Sequence, residues 1–233
     1  MAVKVLWSGR KNLDDIKWKY DKSKEFFFSH DFMERKNQLW QQMIVEFPKI
    51  YDGTIIVLEK YQLETHITFH TRSIKFSEMM MLERNNLPMP ESLGPLGFQT
   101  VILNKPKSHF IMGKRSLKSD YKPGYLTIPG GLFELSDLNG SVKDACLREL
   151  NEELDLQFDE LEMFLIAILK DYGLGVNLLI ECQIRGGRYE TNQYITGNEE
   201  WENKLKWTSF DNAQNLEEKI ILEGLSFIKN HRK

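Results

Sequence analysis

Three carboxylates and one arginine are the residues of this chain best placed to do chemistry. The run Arg148-Glu149-Leu150-Asn151-Glu152-Glu153 sets Glu149, Glu152 and Glu153 at i, i+3 and i+4, which is one face of a helix. Carboxylates crowded on one face repel one another unless they are solvated or hold a cation. Hard divalent ions such as Mg²⁺ or Mn²⁺ prefer oxygen ligands of this kind. Upstream, Pro129-Gly130-Gly131 follows a predicted strand. Glycines there let the backbone approach a ligand or an ion closely.

These groups need a scaffold. Leu147, Leu150 and Leu154 fall on another face of the same helix and can anchor it to a sheet. Ser141 is a good N-cap, with Asp144 three residues on to favour the free amides, so a helix is predicted over 141–154. Around it the pattern predicts strands at 98–103, 109–114, 125–128, 163–171, 176–184 and 206–209, and a closing helix at 216–228. Earlier in the chain, residues 24–47 carry apolar positions at roughly helical spacing, and Pro48 ends that helix. Asp52-Gly53 is a turn signal, and 54–60 with 64–73 read as a hairpin of two strands. Met79-Met80-Met81 reads as packing. The segment 85–95, with Pro88, Pro90, Gly94 and Pro95, reads as a linker or crossover. It divides an N-terminal α/β extension, 1–93, from a main domain, 94–233. Strands with few helices predict an α+β fold, helices packed against a mixed sheet.

Composition narrows the function classes. The chain has 233 residues, 41% hydrophobic, 12% aromatic and 28% charged, enough apolar content for a sizeable core. The formal charge of −3 offers no basic field, so no nucleic-acid partner is expected. The longest apolar run, Met163 to Leu169, is far short of the roughly 20 residues that span a bilayer. No membrane partner and a cytoplasmic location are therefore expected. Cys146 and Cys182 are too few for a disulfide scaffold.

The glutamate helix and its glycines resemble the Nudix hydrolase family. The family pattern is Gly, five residues, Glu, seven residues, then Arg-Glu-U-x-Glu-Glu-x-Gly-U, with U aliphatic. This chain matches from Arg148 to Glu153, and Leu156 fits the final U. The distance from Gly131 to Arg148 is three residues longer than the family spacing. Gly140 stands eight before the arginine, where the first Glu belongs, and Asp155 stands in place of the late Gly. Glu134 matches a Glu often seen three residues after the second glycine. The resemblance implies a Nudix α/β/α sandwich with a mixed sheet over 94–233. It implies Glu149, Glu152 and Glu153 as ligands of Mg²⁺ or Mn²⁺, catalytic roles for Glu153, Glu152 and Arg148, and substrate contacts at Gly130 and Gly131. Arg148 would brace loop and helix by ion pairing, with Glu134 and Asp137 as candidate partners. Arg115 is a candidate for a substrate phosphate. Glu199 and Glu202, in the acidic run before the last strand, are candidates for an additional base.

The implied reaction is attack of water on a diphosphate linked to a nucleoside, a small-molecule substrate. Trp40 and the segment Phe47-Pro48-Lys49-Ile50-Tyr51-Asp52-Gly53 resemble a Nudix subgroup with an N-terminal extension that looks like UDP-sugar hydrolases, releasing UMP and a sugar 1-phosphate. Two alternatives remain open: an ADP-ribose-type pyrophosphatase, and a catalytically silent Nudix-fold module that binds a nucleotide sugar. A homodimer through exposed strand edges of the extension is a further expectation. His66 and His70 share one face of a predicted strand but have no third ligand for zinc. Trp201 and Trp207 read as core, and Arg185-Gly186-Gly187-Arg188 as a hairpin turn.

Overall fold

The computed structural model describes residues 3–23, 26–104, 106–118, 123–154, 161–170, 175–184, 194, 195, 197, 201, 205–215, 225, 226, 228 and 229. Along the chain run β1 (Lys4–Asn12), β2 (Ile16–Tyr20), α1 (His30–Glu46), β3 (Thr54–Leu63), β4 (Ile67–Lys75), α2 (Phe76–Arg84), β5 (Gly94–Leu103), β6 (His109–Lys114), β7 (Leu126–Thr127) and β8 (Gly130–Leu132). A 3-10 turn at Leu135–Asn139 then leads into α3 (Val142–Glu153), followed by β9 (Leu161–Lys170), β10 (Val176–Ile184), β11 (Tyr194–Ile195) and β12 (Leu205–Ser209).

The fold is α+β with a mixed sheet, as the pattern of elements predicts. The strands join in the order β1-β9-β10-β5-β3-β4-β2, with β8 and β6 attached to β5, β7 and β12 to β6, and β11 to β12. The β10–β5 and β2–β4 pairs are parallel, and the other pairs are antiparallel. Among the described residues, two strand ladders and the Ile55–Glu134 bridge cross residue 93. Lys4 to Asn12 run beside Lys170 to Phe164, and Val57 and Leu58 face Pro95 and Gly94.

Three apolar clusters hold the layers together. On one face of the sheet, Val142, Ala145, Cys146, Leu150 and Leu154 of α3 pack against Leu96, Phe98 and Ile102 of β5 and Leu178, Ile180 and Cys182 of β10. Leu13, Ile56, Leu58 and Phe69 from the first 93 residues belong to this same cluster. The opposite face buries Val101, Leu103, Phe110, Met112, Ile166 and Leu179. A third cluster lies under α1 and α2, around Met43, Ile55, Val57, Ile74, Met79 and Met80. Strand β3 therefore feeds two cores, Ile55 and Val57 on one side and Ile56 and Leu58 on the other, as a two-residue period requires.

Several elements differ from the sequence expectation. The first helix begins at His30, because the Ser29 hydroxyl accepts the Phe32 amide at 3.2 Å and fixes the start there. Phe28 lies just before it and stacks on Phe32 with ring centres 4.2 Å apart. Met79 to Met81 pack as expected, but as part of a helix, α2, whose first turn is capped by Asp52: its carboxylate accepts the Ser77 amide at 2.8 Å and hydroxyl at 3.0 Å. Strands β1 and β2 occupy a stretch where no element was predicted. The glycine-rich segment after Pro129 is itself a short strand, β8, paired with β5. The predicted closing helix lies mostly outside the described residues. No helix among the described residues is long and apolar enough to cross a membrane.

Candidate active site

The site is built where α3 leans on β8. Ser141 caps α3: its hydroxyl accepts the Asp144 amide at 3.1 Å, while the Asp144 carboxylate accepts the Ser141 amide at 2.8 Å. The Ser141 amide, together with the Ser141 hydroxyl that donates to the same carboxylate at 2.7 Å, holds the Asp144 carboxyl below its usual range. With the helix start fixed and Leu150 and Leu154 buried, the glutamate face turns toward Gly130 and Gly131.

Both glycines are required by close approach. A Cβ on Gly130 would lie 2.1 Å from the Phe98 carbonyl oxygen of β5, and a Cβ on Gly131 would lie 2.8 Å from the Glu149 carboxyl. Glu153 is 3% exposed, and one of its oxygens accepts the Gly130 amide at 3.1 Å. Glu149 and Glu153, one helical turn apart, thus converge on adjacent backbone units. Burial is the main force on Glu149 and pushes its carboxyl up to about 7; Arg148 pulls it down, and Glu152 and Asp137 push it further up. Glu152 is the outer member, its side chain 57% exposed.

Arg148 ties these groups together. It donates to both oxygens of Asp137 at 3.1 Å, in the two-pronged geometry that suits a guanidinium, and lies 2.9 Å from Glu149 and 3.1 Å from Glu152. Partial burial lowers its pKa, but Asp137, Glu149 and Glu152 more than offset this and hold it firmly cationic. Asp137 is 7% exposed and also accepts the Glu134 amide at 2.8 Å. Of the two candidate partners, Asp137 is therefore the one that takes both prongs. Counting back from Arg148 hides this residue behind Gly140. Counting forward from Gly131 finds it at the sixth position, where the family pattern has its first acid.

The other sequence candidates are placed as follows. Arg115 follows β6, where its amide donates to the Tyr125 carbonyl at 2.8 Å and its backbone bridges Trp201. Trp201 and Trp207 are buried in the cluster that also contains the apolar face of α3. His70 bonds Gln62 at 2.9 Å, and His66 lies 3.8 Å from Asp15. Glu199, Glu202 and the 185–188 turn lie outside the described residues. Among the described residues no three acidic, histidine or cysteine groups stand together as a finished metal site. Cys146 and Cys182 are both free and buried, and burial pushes the Cys182 thiol up to about 12.

No family model matches the chain, and none of the curated proteins matches it. Solved structures do align with it. The MutT protein of Methanosarcina mazei covers 60% of this chain and 96% of its own, at 15% identity and a TM-score of 0.44. The Nudix domain of Shewanella oneidensis NrtR, solved with ADP-ribose, covers 60% and 89%, at 15% identity and a TM-score of 0.45. A bifunctional NMN adenylyltransferase/ADP-ribose pyrophosphatase of Francisella tularensis, solved with AMP and a Mn ion, covers 64% and 46%, at 19% identity and a TM-score of 0.41.

Proposed function

We propose that this chain is a Nudix-type pyrophosphohydrolase acting on a nucleoside diphosphate linked to a second moiety, with 94–233 as the catalytic domain and 1–93 as its extension. The observation that carries the reading is the convergence of Glu149 and Glu153 on Gly130-Gly131 beside a braced Arg148. The donor set fits a hard divalent cation. Glu149, Glu152 and Glu153 would hold it, all three offer oxygen, and the buried Glu149 carboxyl is one whose charged form a cation would favour. When bound, Mg²⁺ or Mn²⁺ would neutralise charge on the diphosphate and acidify a water.

The rest of the work falls to the chain itself. Gly130 lets β8 lie close against β5, and Gly131 leaves the room that the Glu149 carboxyl occupies. Arg148 keeps Glu149 and Glu152 in fixed positions. Glu153 or Glu152, on the same helix face, would take the proton of the attacking water. The substrate class favoured is a UDP-sugar, yielding UMP and a sugar 1-phosphate. Its support is the resemblance of Trp40 and 47–53 to the extended subgroup.

The test is incubation with Mg²⁺ or Mn²⁺ and a panel of UDP-sugars, ADP-ribose, dinucleoside polyphosphates and nucleoside triphosphates, with products separated by chromatography. UMP is expected from UDP-sugars. Glu153→Gln, which keeps an oxygen for the Gly130 amide, is expected to lose at least a hundredfold in turnover while staying folded. AMP from ADP-ribose alone would replace the UDP-sugar reading. Ligand-induced thermal stabilisation with no product would replace the enzyme by a binding module.

A further inference from the structure

A second set of polar groups lies across the sheet from α3. Strand β12 pairs with β6 so that Lys206 stands opposite Met112 and Ser209 opposite His109. Trp207 belongs to the cluster beneath α3, so its neighbours Lys206 and Thr208 fall on the other face, as a two-residue period requires. That is the face of Met112 and Leu126, which pack in the second apolar cluster. Here β6, β7 and β12, with Asn212 from the turn that follows β12, line a cavity of about 280 Å³. Its lining includes Lys206 and His109 but no acid.

His109 is held there as a donor. The Asn104 side-chain oxygen accepts the Ser108 and His109 amides at 2.8 and 3.0 Å, and the Asn104 side-chain amide donates to the Ser108 hydroxyl at 3.2 Å. That hydroxyl is left to donate to His109 Nδ1 at 2.9 Å, so the neutral ring carries its proton on Nε2. Thr208 is 8% exposed, and its buried hydroxyl has no hydrogen-bond partner. A buried hydroxyl is costly to leave unpaired.

We propose that this cavity is a second binding site, separate from the glutamate face of α3, for a small phosphate monoester. Its volume is that of roughly nine waters at about 30 Å³ each, which suits one phosphate with a body the size of a single sugar. Lys206 supplies the point charge that phosphate takes from lysine. The hydroxyls of Thr208 and Ser209 and the His109 ring N–H match the three terminal oxygens of a phosphate ester, where a carboxylate offers only two. Met112 and Leu126 supply an apolar wall for the carbon part. None of these residues takes part in the proposed catalysis, so the site stands whether or not the chain is an enzyme. A sugar 1-phosphate, one product of the proposed reaction, has the chemistry that this cavity selects.

The experiment titrates glucose 1-phosphate, inorganic phosphate and glucose into the full chain by calorimetry, after removal of divalent ions. Glucose 1-phosphate is expected to bind at one site, inorganic phosphate about tenfold more weakly, and glucose not at all. Lys206→Met should weaken glucose 1-phosphate binding by about tenfold or more, with an unchanged circular dichroism spectrum. Thr208→Val removes a hydroxyl that the free protein leaves unpaired. Its thermal midpoint without ligand should therefore hold or rise while its affinity falls several-fold, a split that a purely structural role would not produce. Glu153→Gln should bind as the natural chain does. Full affinity in both Lys206→Met and Thr208→Val, a loss confined to Glu153→Gln, equal binding of glucose, or no binding by the natural chain each overturns the inference. None of these results bears on turnover with Mg²⁺, which the substrate panel tests by itself.

Discussion

At the scale of single residues, Glu149 makes a prediction through its charge. Its carboxyl titrates near 7 in the folded chain, against an ordinary value of 4.5, because it is buried. Between those two values the folded state keeps a proton that the unfolded chain has lost. Rising pH therefore costs stability across that window, by about 3 kcal/mol in total once pH exceeds 7. The thermal midpoint of the cation-free protein should fall between pH 5 and pH 8, and Glu149→Gln should flatten the curve. A midpoint equally steep in the variant would assign the effect to another group. Residues of this kind were only partly legible. Arg148, Glu149, Glu152 and Glu153 sit within six positions, so their shared helical face follows from spacing alone. Asp137 meets Arg148 across a turn of expanded length, so spacing counted back from Arg148 misses it, whereas spacing counted forward from Gly131 reaches it.

At the scale of elements, α3 depends on its first turn. Ser141→Ala removes an acceptor for the Asp144 amide and should cost about 1 kcal/mol in chemical denaturation. A cost indistinguishable from zero would mean that tertiary packing alone sets the register of the glutamate face. The cap itself was readable from Ser141 and Asp144, and so were β6 and β10, whose boundaries match the sequence expectation residue for residue. The elements that escaped share a physical cause. Strand β1 has no buried residue, and its partner β9 lies more than 150 positions away, so neither a core face nor a local turn marks it. Strand β8 contains two glycines and has no apolar period to detect; β5 makes it a strand by offering its edge. Helix α2 begins at Phe76 with a lysine in the cap position, and its cap comes from Asp52, a distant aspartate.

At the scale of the whole molecule, the division near residue 93 becomes testable. The segment 94–233 produced alone would lose β1 from the edge of β9 and would leave Leu13, Ile56, Leu58 and Phe69 missing from the cluster beneath α3. Exposed sheet edges and a thinned core favour aggregation. Size-exclusion chromatography and circular dichroism should show a chain that is aggregated or poorly folded. A soluble monomer with native-like spectra would make the extension a separable unit. The same pairing of β1 with β9 has a consequence for biosynthesis. Strand β1 cannot find its partner until residue 170 has been added, so it must wait, unpaired, while more than 150 further residues are made. Closure of the sheet is then a late event, ruled by a long loop, and folding should be slow for a protein of this length.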